Sequence, residues 1–315
     1  MALRVAHVDA PEIGRGSAAS PDRFPFWQLV PIAAVFSAMA VHHVGDQLIT
    51  SDVVTMLACA AILVFGLPHG SLDVALLRRS ARLASARTMA VVCLYLGCAA
   101  AMFAVWSYAP LAALAIFLGL SCLHFSEDWA EVVPPFFAVG LATAMLSAPA
   151  LLHGDVLAGV FQSLTGSRDA RVLADIGMLM APVALTSAGI GVWLIAQAGQ
   201  PVRACQTAIL LFGMIVLPPV LGFALFFCLA HSPVQFAKAK AELQIEGRGA
   251  TNREIVALTM GALAIAVVMF ALAERGSFVE NSIRASFVTL SILTAPHMAV
   301  PLCVSVWDRR RGAIA

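Results

Sequence analysis

Blocks of about twenty apolar residues recur from one end of this 315-residue chain to the other, each long enough to cross the hydrocarbon layer as a helix. Inside lipid every backbone N–H and C=O must be paired within the protein, so short of a closed barrel only helices fit. Charged residues make up 12% of the chain, against about 25% in soluble domains. The expected fold is therefore all-α: a polytopic transmembrane bundle of about eight to ten spans, with bent helices around a central cavity. The apolar blocks place spans at 27–44, 53–77, 86–107, 110–126, 132–152, 174–197, 204–236, 255–273 and 285–307. They form a single transmembrane domain, 27–307, between a polar cytoplasmic tail (1–26) and a basic cytoplasmic tail (308–315). The first tail lacks the apolar region and cleavage site of a signal peptide, so the first span is expected to act as an uncleaved insertion signal. Segment 155–164 is too short to cross and reads as an interfacial or re-entrant helix. The stretch 204–236 is too long for one upright helix and carries Pro218 and Pro219 in its middle.

Basic residues orient the spans. Arg78, Arg79, Arg82 and Arg87 form one cluster, Lys238, Lys240, Arg248 and Arg253 a second, and Arg309, Arg310 and Arg311 a third. Basic loops stay on the cytoplasmic side. Keeping all three there requires an even number of crossings before the second cluster, hence two crossings within 204–236 and about ten in total. Arg168 and Arg171 fall outside under this count, accompanied by Asp169 and Asp175. The expected location is the cell (inner) membrane. A net charge of +1 leaves no footprint for nucleic acid. The seven cysteines are scattered through apolar runs without a CxxC and read as small hydrophobes.

Eight histidines remain. His7 lies in the tail, and His42, His43 and His153 at outer span ends. His69, His124, His231 and His297 sit in or near the cytoplasmic thirds of four different spans. His69 and His231 are each about 10–12 Å from the span end at 1.5 Å per residue. Ionisable groups at such depth are costly and mark functional sites. Three have a polar residue one turn on, sharing their helix face: Asp73 after His69, Asp128 after His124 and Gln235 after His231. Such a neighbour serves either as a second metal ligand or as the group that fixes a ligand's tautomer. Pro68, Pro233 and Pro296 adjoin three of the four and bend their helices. Gly66 and Gly70 permit close helix approach. Imidazole suits iron, zinc, copper and nickel. HExxH is absent, which removes the usual signature of zinc hydrolysis.

The motifs Gly-Leu-Pro-His-Gly-Ser-Leu-Asp (66–73), His-Phe-Ser-Glu-Asp (124–128), His-Ser-Pro (231–233) and Ala-Pro-His-Met (295–298) occur in this order on membrane helices. Together they resemble the Brp/Blh family of membrane β-carotene 15,15′-dioxygenases. The resemblance implies Fe(2+) held by histidines, O2 and β-carotene or a related carotenoid as substrates, and two retinal molecules as products, available to a rhodopsin. Within it the metal ligands match His69, His124 and His231. Gln235 stands where the family pattern has a fourth histidine, as a weak or vestigial ligand, and His297 is a candidate replacement. Asp73 and Asp128 would stand behind the ligands. Val74 takes the place of a histidine that often ends the first motif. The competing readings are a non-catalytic carotenoid- or retinal-binding or opsin-associated homologue, a transporter or proton relay, and a haem-binding electron carrier.

Overall fold

A computed structural model of the chain describes residues 30–44, 51–73, 76, 85–245, 252–272 and 276–312. Among these residues the secondary structure is entirely helical, as expected for a polytopic helical bundle. The polar tail 1–26 and most of the Arg78–Arg87 loop lie outside the described residues.

The helices are α1 (Val30–Val44), α2 (Asp52–Ala61), α3 (Ser85–Tyr108), α4 (Pro110–Ser126), α5 (Pro135–Ser147) and α6 (Pro149–Thr165). There follow α7 (Arg171–Gln197), α8 (Pro201–Val216), α9 (Pro219–Phe226), α10 (Ser232–Ile245), α11 (Asn252–Ala271) and α12 (Phe278–Gly312). Proline punctuates this order. Pro110, Pro135, Pro149, Pro201 and Pro219 each open a helix, where a missing N–H leaves no intrahelical bond unmade. Gly166, at φ 70°, ends α6 in the left-handed conformation that a side chain disfavours.

Two helices are not uniformly α. Helix α2 passes into a π turn at Ile62–Gly66 and then a 3₁₀ stretch at Leu67–Leu72. Helix α9 passes through a π turn at Phe227–His231 into α10. The two π turns pack against each other, so closely that a methyl group added at Gly66 would overlap the Phe227 ring. Ser232 Oγ spans the contact, donating to Phe65 O at 2.8 Å and to Gly66 O at 3.3 Å. Pro68 and Pro233 explain why these helices depart from the α pattern where they do: neither has an N–H for the turn before it.

Five helical paths are individually long and apolar enough to cross a membrane, and the pair α5–α6, bent by 52°, makes up to a sixth. Helix α7 runs antiparallel along both halves of that pair. Gly177 faces Ala150 near one end of the contact, while Gly140 and Gly191 take up Ser187 and Leu141 near the other. The two helices part at Ala148, which keeps helical angles, and α6 itself leaves them at His153 (φ −124°, ψ 32°). Segment 155–164, expected as a short interfacial or re-entrant helix, is the part of α6 beyond this kink, and the preceding span stops before 152.

Four shorter apolar helices remain, Val30–Met39, Pro110–Ser126, Pro201–Val216 and Ile255–Ala271. The stretch 204–236 is broken as its two prolines suggest. The chain reverses at Leu217–Pro218, so that Gly222 of α9 lies against Gly213 and Met214 of α8. His153 Nε2 approaches Val216 O at 2.9 Å, closing a carbonyl at the end of α8. Helix α12 packs on α2, α3, α4, α6 and α11, with Trp106 Nε1 donating to Ser291 Oγ at 3.0 Å.

Candidate metal centre

The histidine cluster forms where α4 ends, the second π turn ends, and α12 passes both. His124 is in the last turn of α4 and His231 closes the π turn. Their Nε2 atoms stand 3.1 Å apart, with ring planes at 84°. His297 of α12 adds a third imidazole, its centroid 4.7 Å from that of His124 and its ring at 78° to it. His124 and His231 are buried, His231 completely.

Each imidazole is backed by a carboxylate. His231 Nδ1 lies 2.8 Å from Asp128 Oδ2, His297 Nδ1 2.7 Å from Asp73 Oδ2, and His124 Nδ1 3.2 Å from Glu127 Oε2. A carboxylate only accepts, so each Nδ1 is the protonated nitrogen and each neutral ring carries its lone pair on Nε2. The facing Nε2 atoms of His124 and His231 thus direct two lone pairs at one small region. That arrangement repels unless a proton or a cation lies between them. Two imidazoles bound to one metal at about 2.1 Å and at right angles would hold their nitrogens about 3.0 Å apart. The carboxylate–imidazole pairs are those that orient metal-ligating histidines.

The pairing differs from the one suggested by spacing. Asp73, Asp128 and Gln235 share helix faces with His69, His124 and His231, yet they reach across to other elements. Asp73 serves His297 and accepts from Tyr95 Oη at 3.1 Å. Asp128 serves His231 through Oδ2 and accepts from Gln235 Nε2 through Oδ1 at 2.7 Å. Gln235 therefore holds the carboxylate that holds His231. Tyr95 carries no signal in the sequence, and Glu127 appears there only inside the motif His-Phe-Ser-Glu-Asp, with no role assigned. Glu127 is one of two adjacent acids after His124, and only the turn that ends α4 decides which one reaches back to that ring.

The segment after α4 is itself fixed. Arg203 Nη2 donates to Asp128 O, Arg203 Nη1 to Gln200 Oε1 at 3.0 Å, and Trp129 Nε1 to Thr207 Oγ1 at 3.2 Å. At the surface, Lys238 Nζ lies 3.0 Å from Glu131 Oε1 and holds that carboxyl below the ordinary glutamate range. On the buried side aromatic rings close over His231. Phe227 stacks on it at 5.5 Å and 16°, and Phe125 meets it edge-on at 4.7 Å.

His69 lies in the 3₁₀ stretch Leu67–Leu72, and its side chain is outside the described residues. Its neighbour Gly70 faces His297 Nδ1 and Asp73 Oδ2, which puts this turn beside the cluster. Among the described residues, no three histidine, cysteine, aspartate or glutamate side chains form a complete metal-ligand set. His124 and His231 are the pair whose ring nitrogens already face each other.

Apolar cavities flank the cluster. One, of about 1030 Å³ counted out to its open mouth, is lined by His297, Tyr95, Gly70 and Ser71 at one end and by α3 and α11 beyond. Another, much smaller, lies behind Phe223 and Phe287 and touches Ser121, one turn before His124.

A family model described as beta-carotene 15,15'-dioxygenase matches residues 60–308. The chain belongs to the beta-carotene 15,15'-dioxygenase family. The matched region holds all four intramembrane histidines and the three carboxylates behind the described rings. Among curated members of the family, the chain is 28% identical over 304 residues to the Blh protein of Halobacterium salinarum, named a "probable beta-carotene 15,15'-dioxygenase". That match covers 81% of this chain and 84% of the relative. It is 27% identical over 264 residues to a beta-carotene 15,15'-dioxygenase of an uncultured marine bacterium, 66A03, covering 76% of this chain and 90% of that one. No solved structure matches the chain significantly.

Proposed function

We propose that this chain cleaves the central 15,15′ double bond of β-carotene with O2, giving two molecules of retinal, at a non-haem iron(II) centre in the cell's inner membrane. Both bonds between the two central carbons break, and each carbon takes one oxygen atom. The alkene supplies all four electrons to O2, so no further reductant is required. The observation that carries the reading is the 3.1 Å approach of His124 Nε2 and His231 Nε2, each ring backed by a carboxylate, in a member of this dioxygenase family.

The residues fit an iron site. His124 and His231 would hold the metal, with His69 as a third ligand and His297 as a candidate fourth. Bound iron would supply the one-electron chemistry that ground-state O2 needs to react with an alkene. The protein's part is position and exclusion. Asp128 accepts a hydrogen bond from His231 Nδ1–H and keeps that ring's lone pair turned inward. Glu127 does the same for His124, and Asp73 for His297. Phe125 and Phe227 cover His231 and keep water from that side of the site. The substrate dissolves only in lipid, and the cluster lies on helices that cross it, so the polyene reaches the site without passing through water. A rhodopsin in the same membrane is a natural recipient of the product.

Gln235, in the place of a family histidine, is the one feature that favours the non-catalytic alternative, a carotenoid- or retinal-binding homologue. Its bond to Asp128 supports a different role, that of a positioning residue acting through Asp128. The test is expression in carotenoid-producing cells. An active enzyme bleaches them and leaves retinal in the extract, and His231→Ala abolishes both effects. Coloured cells with full-length protein in their membranes, no retinal, and pigment co-purifying with the protein would establish the carrier instead.

A further inference from the structure

The cavity that ends at His297 does not stop at the ends of its own lining. It adjoins a second one, of about 810 Å³, lined by Ala99, Ala100 and Phe103 of α3, Ala264 to Leu272 of α11, and Ile292 of α12. Ile265 borders both. Together they form one groove between α3 and α11 with α12 as its floor. Along α3 it runs from Val92 to Phe103, about 16 Å at 1.5 Å per residue, and along α11 from Ala257 to Leu272, about 22 Å.

The lining changes along this length. All of its polar side chains, Ser71, Tyr95, Thr294 and His297, belong to the inner cavity, and the outer part is apolar throughout. The residues along the middle are small: Ala99, Ala100, Gly261, Ala262 and Ala264. A methyl group added at Gly261 would meet no atom within 4 Å. Both walls are apolar helices that present large apolar side chains on their other sides, with Met89, Leu94, Val256, Met260 and Val267 exposed.

We infer that this groove between α3 and α11 is the lateral entry and binding path for one half of a long polyene, open to the bilayer and ending at His297. The inference rests on the dioxygenase reading above and names the face by which the substrate arrives. Three observations select a slender hydrocarbon as the occupant. The two cavities follow one another along the helix axes, their walls carry small side chains where larger ones would close the space, and their polarity is confined to the end that meets the imidazole cluster. A phospholipid headgroup finds no charged side chain in the lining. Gly261 and Ala264 then set the width the chain can admit.

At Gly261 a new Cβ enters open space, and Gly261→Leu improves helix propensity, so it separates blocking from misfolding. Gly119→Leu, on the lipid side of α4 and equally free of neighbours, is the control. Purified protein is mixed under nitrogen with phospholipid vesicles containing β-carotene, and bound pigment is read from its visible absorbance. Oxygen is then admitted and retinal is measured. Wild type and Gly119→Leu should bind and cleave alike. Gly261→Leu should lose roughly tenfold or more of both, as expected for an occluded binding cleft, with iron content unchanged. If Gly261→Leu binds and cleaves as wild type does, the groove is not the path, and the dioxygenase reading stands. If wild type neither binds pigment under nitrogen nor forms retinal in oxygen, that reading falls and the groove falls with it.

Discussion

Asp128 is the residue on which the imidazole cluster most depends. Its Oδ2 accepts a hydrogen bond from His231 Nδ1–H, its Oδ1 accepts one from Gln235 Nε2, and its main-chain carbonyl accepts one from Arg203. Loss of such a supporting group costs about 10–100-fold in metal affinity or activity, so Asp128→Ala should lower iron per purified protein by that order. Gln235 gives a sharper test. As an amide it donates to Asp128. Gln235→Glu would set two carboxylates at hydrogen-bond distance, where like charges disfavour one another, and should weaken iron retention at neutral pH. Gln235→His returns an imidazole to the position where the family pattern has one and should raise bound iron. Equal iron in wild type and both variants would make Gln235 a bystander. Iron stoichiometry by elemental analysis decides each case. Much of this was legible in the sequence: four histidines at one depth and three polar neighbours one turn on. The pairing was not. Spacing reports which residues share a face, whereas Asp73 and Asp128 find their imidazoles on other helices, and Tyr95 joins from a third.

At the scale of elements, the two π turns decide where His231 stands. A π turn widens the helix by a residue and often marks a functional position. Here the one at Phe227–His231 ends on a histidine of the cluster, and the one at Ile62–Gly66 precedes the turn that carries His69. Their contact depends on the absence of a side chain at Gly66. Gly66→Ala drives a methyl group into Phe227, an overpacking that costs about 1–3 kcal/mol, and Phe227 in turn stacks on His231. Ser232→Ala removes that donor from Phe65 O and Gly66 O, at a cost of about 0.5–1.5 kcal/mol for a lost hydrogen bond. Both variants should unfold at lower temperature in detergent and lose iron more readily. A melting temperature unchanged in both would show that the turns do not depend on this contact. The prolines made these bends legible, but the α, π and 3₁₀ alternatives differ by single hydrogen bonds whose partners lie elsewhere in the chain. The break between α5 and α6 was not legible for a related reason. Both are apolar, and the kink at His153 accompanies a hydrogen-bond contact with Val216 O, 63 residues further along the chain.

For the whole molecule, helical class and membrane character followed from apolar blocks alone. Span count does not, because the four shorter helices are of marginal length for a crossing. With all four crossing, the three basic clusters share one side, as the distribution of basic residues favours. Gly199, between α7 and α8, and Gly276, between α11 and α12, are exposed turn positions. With α8 and α9 crossing separately, they lie on opposite sides of the membrane. Epitope tags inserted at the two positions should then differ in accessibility in intact spheroplasts, Gly276 outside and Gly199 inside. Tags on the same side would mean that the segment between them does not make the three crossings of α8, α9 with α10, and α11. The claim on which the rest depends is chemical, that an imidazole-held iron in this bundle divides a polyene at its centre with both atoms of O2. Purified, iron-loaded protein supplied with β-carotene under ¹⁸O2, with the aldehydes reduced at once to prevent exchange with water, tests it most directly. The account predicts one C20 product, with ¹⁸O in every newly formed carbonyl. Products of unequal length, or label in half of them or fewer, would contradict it.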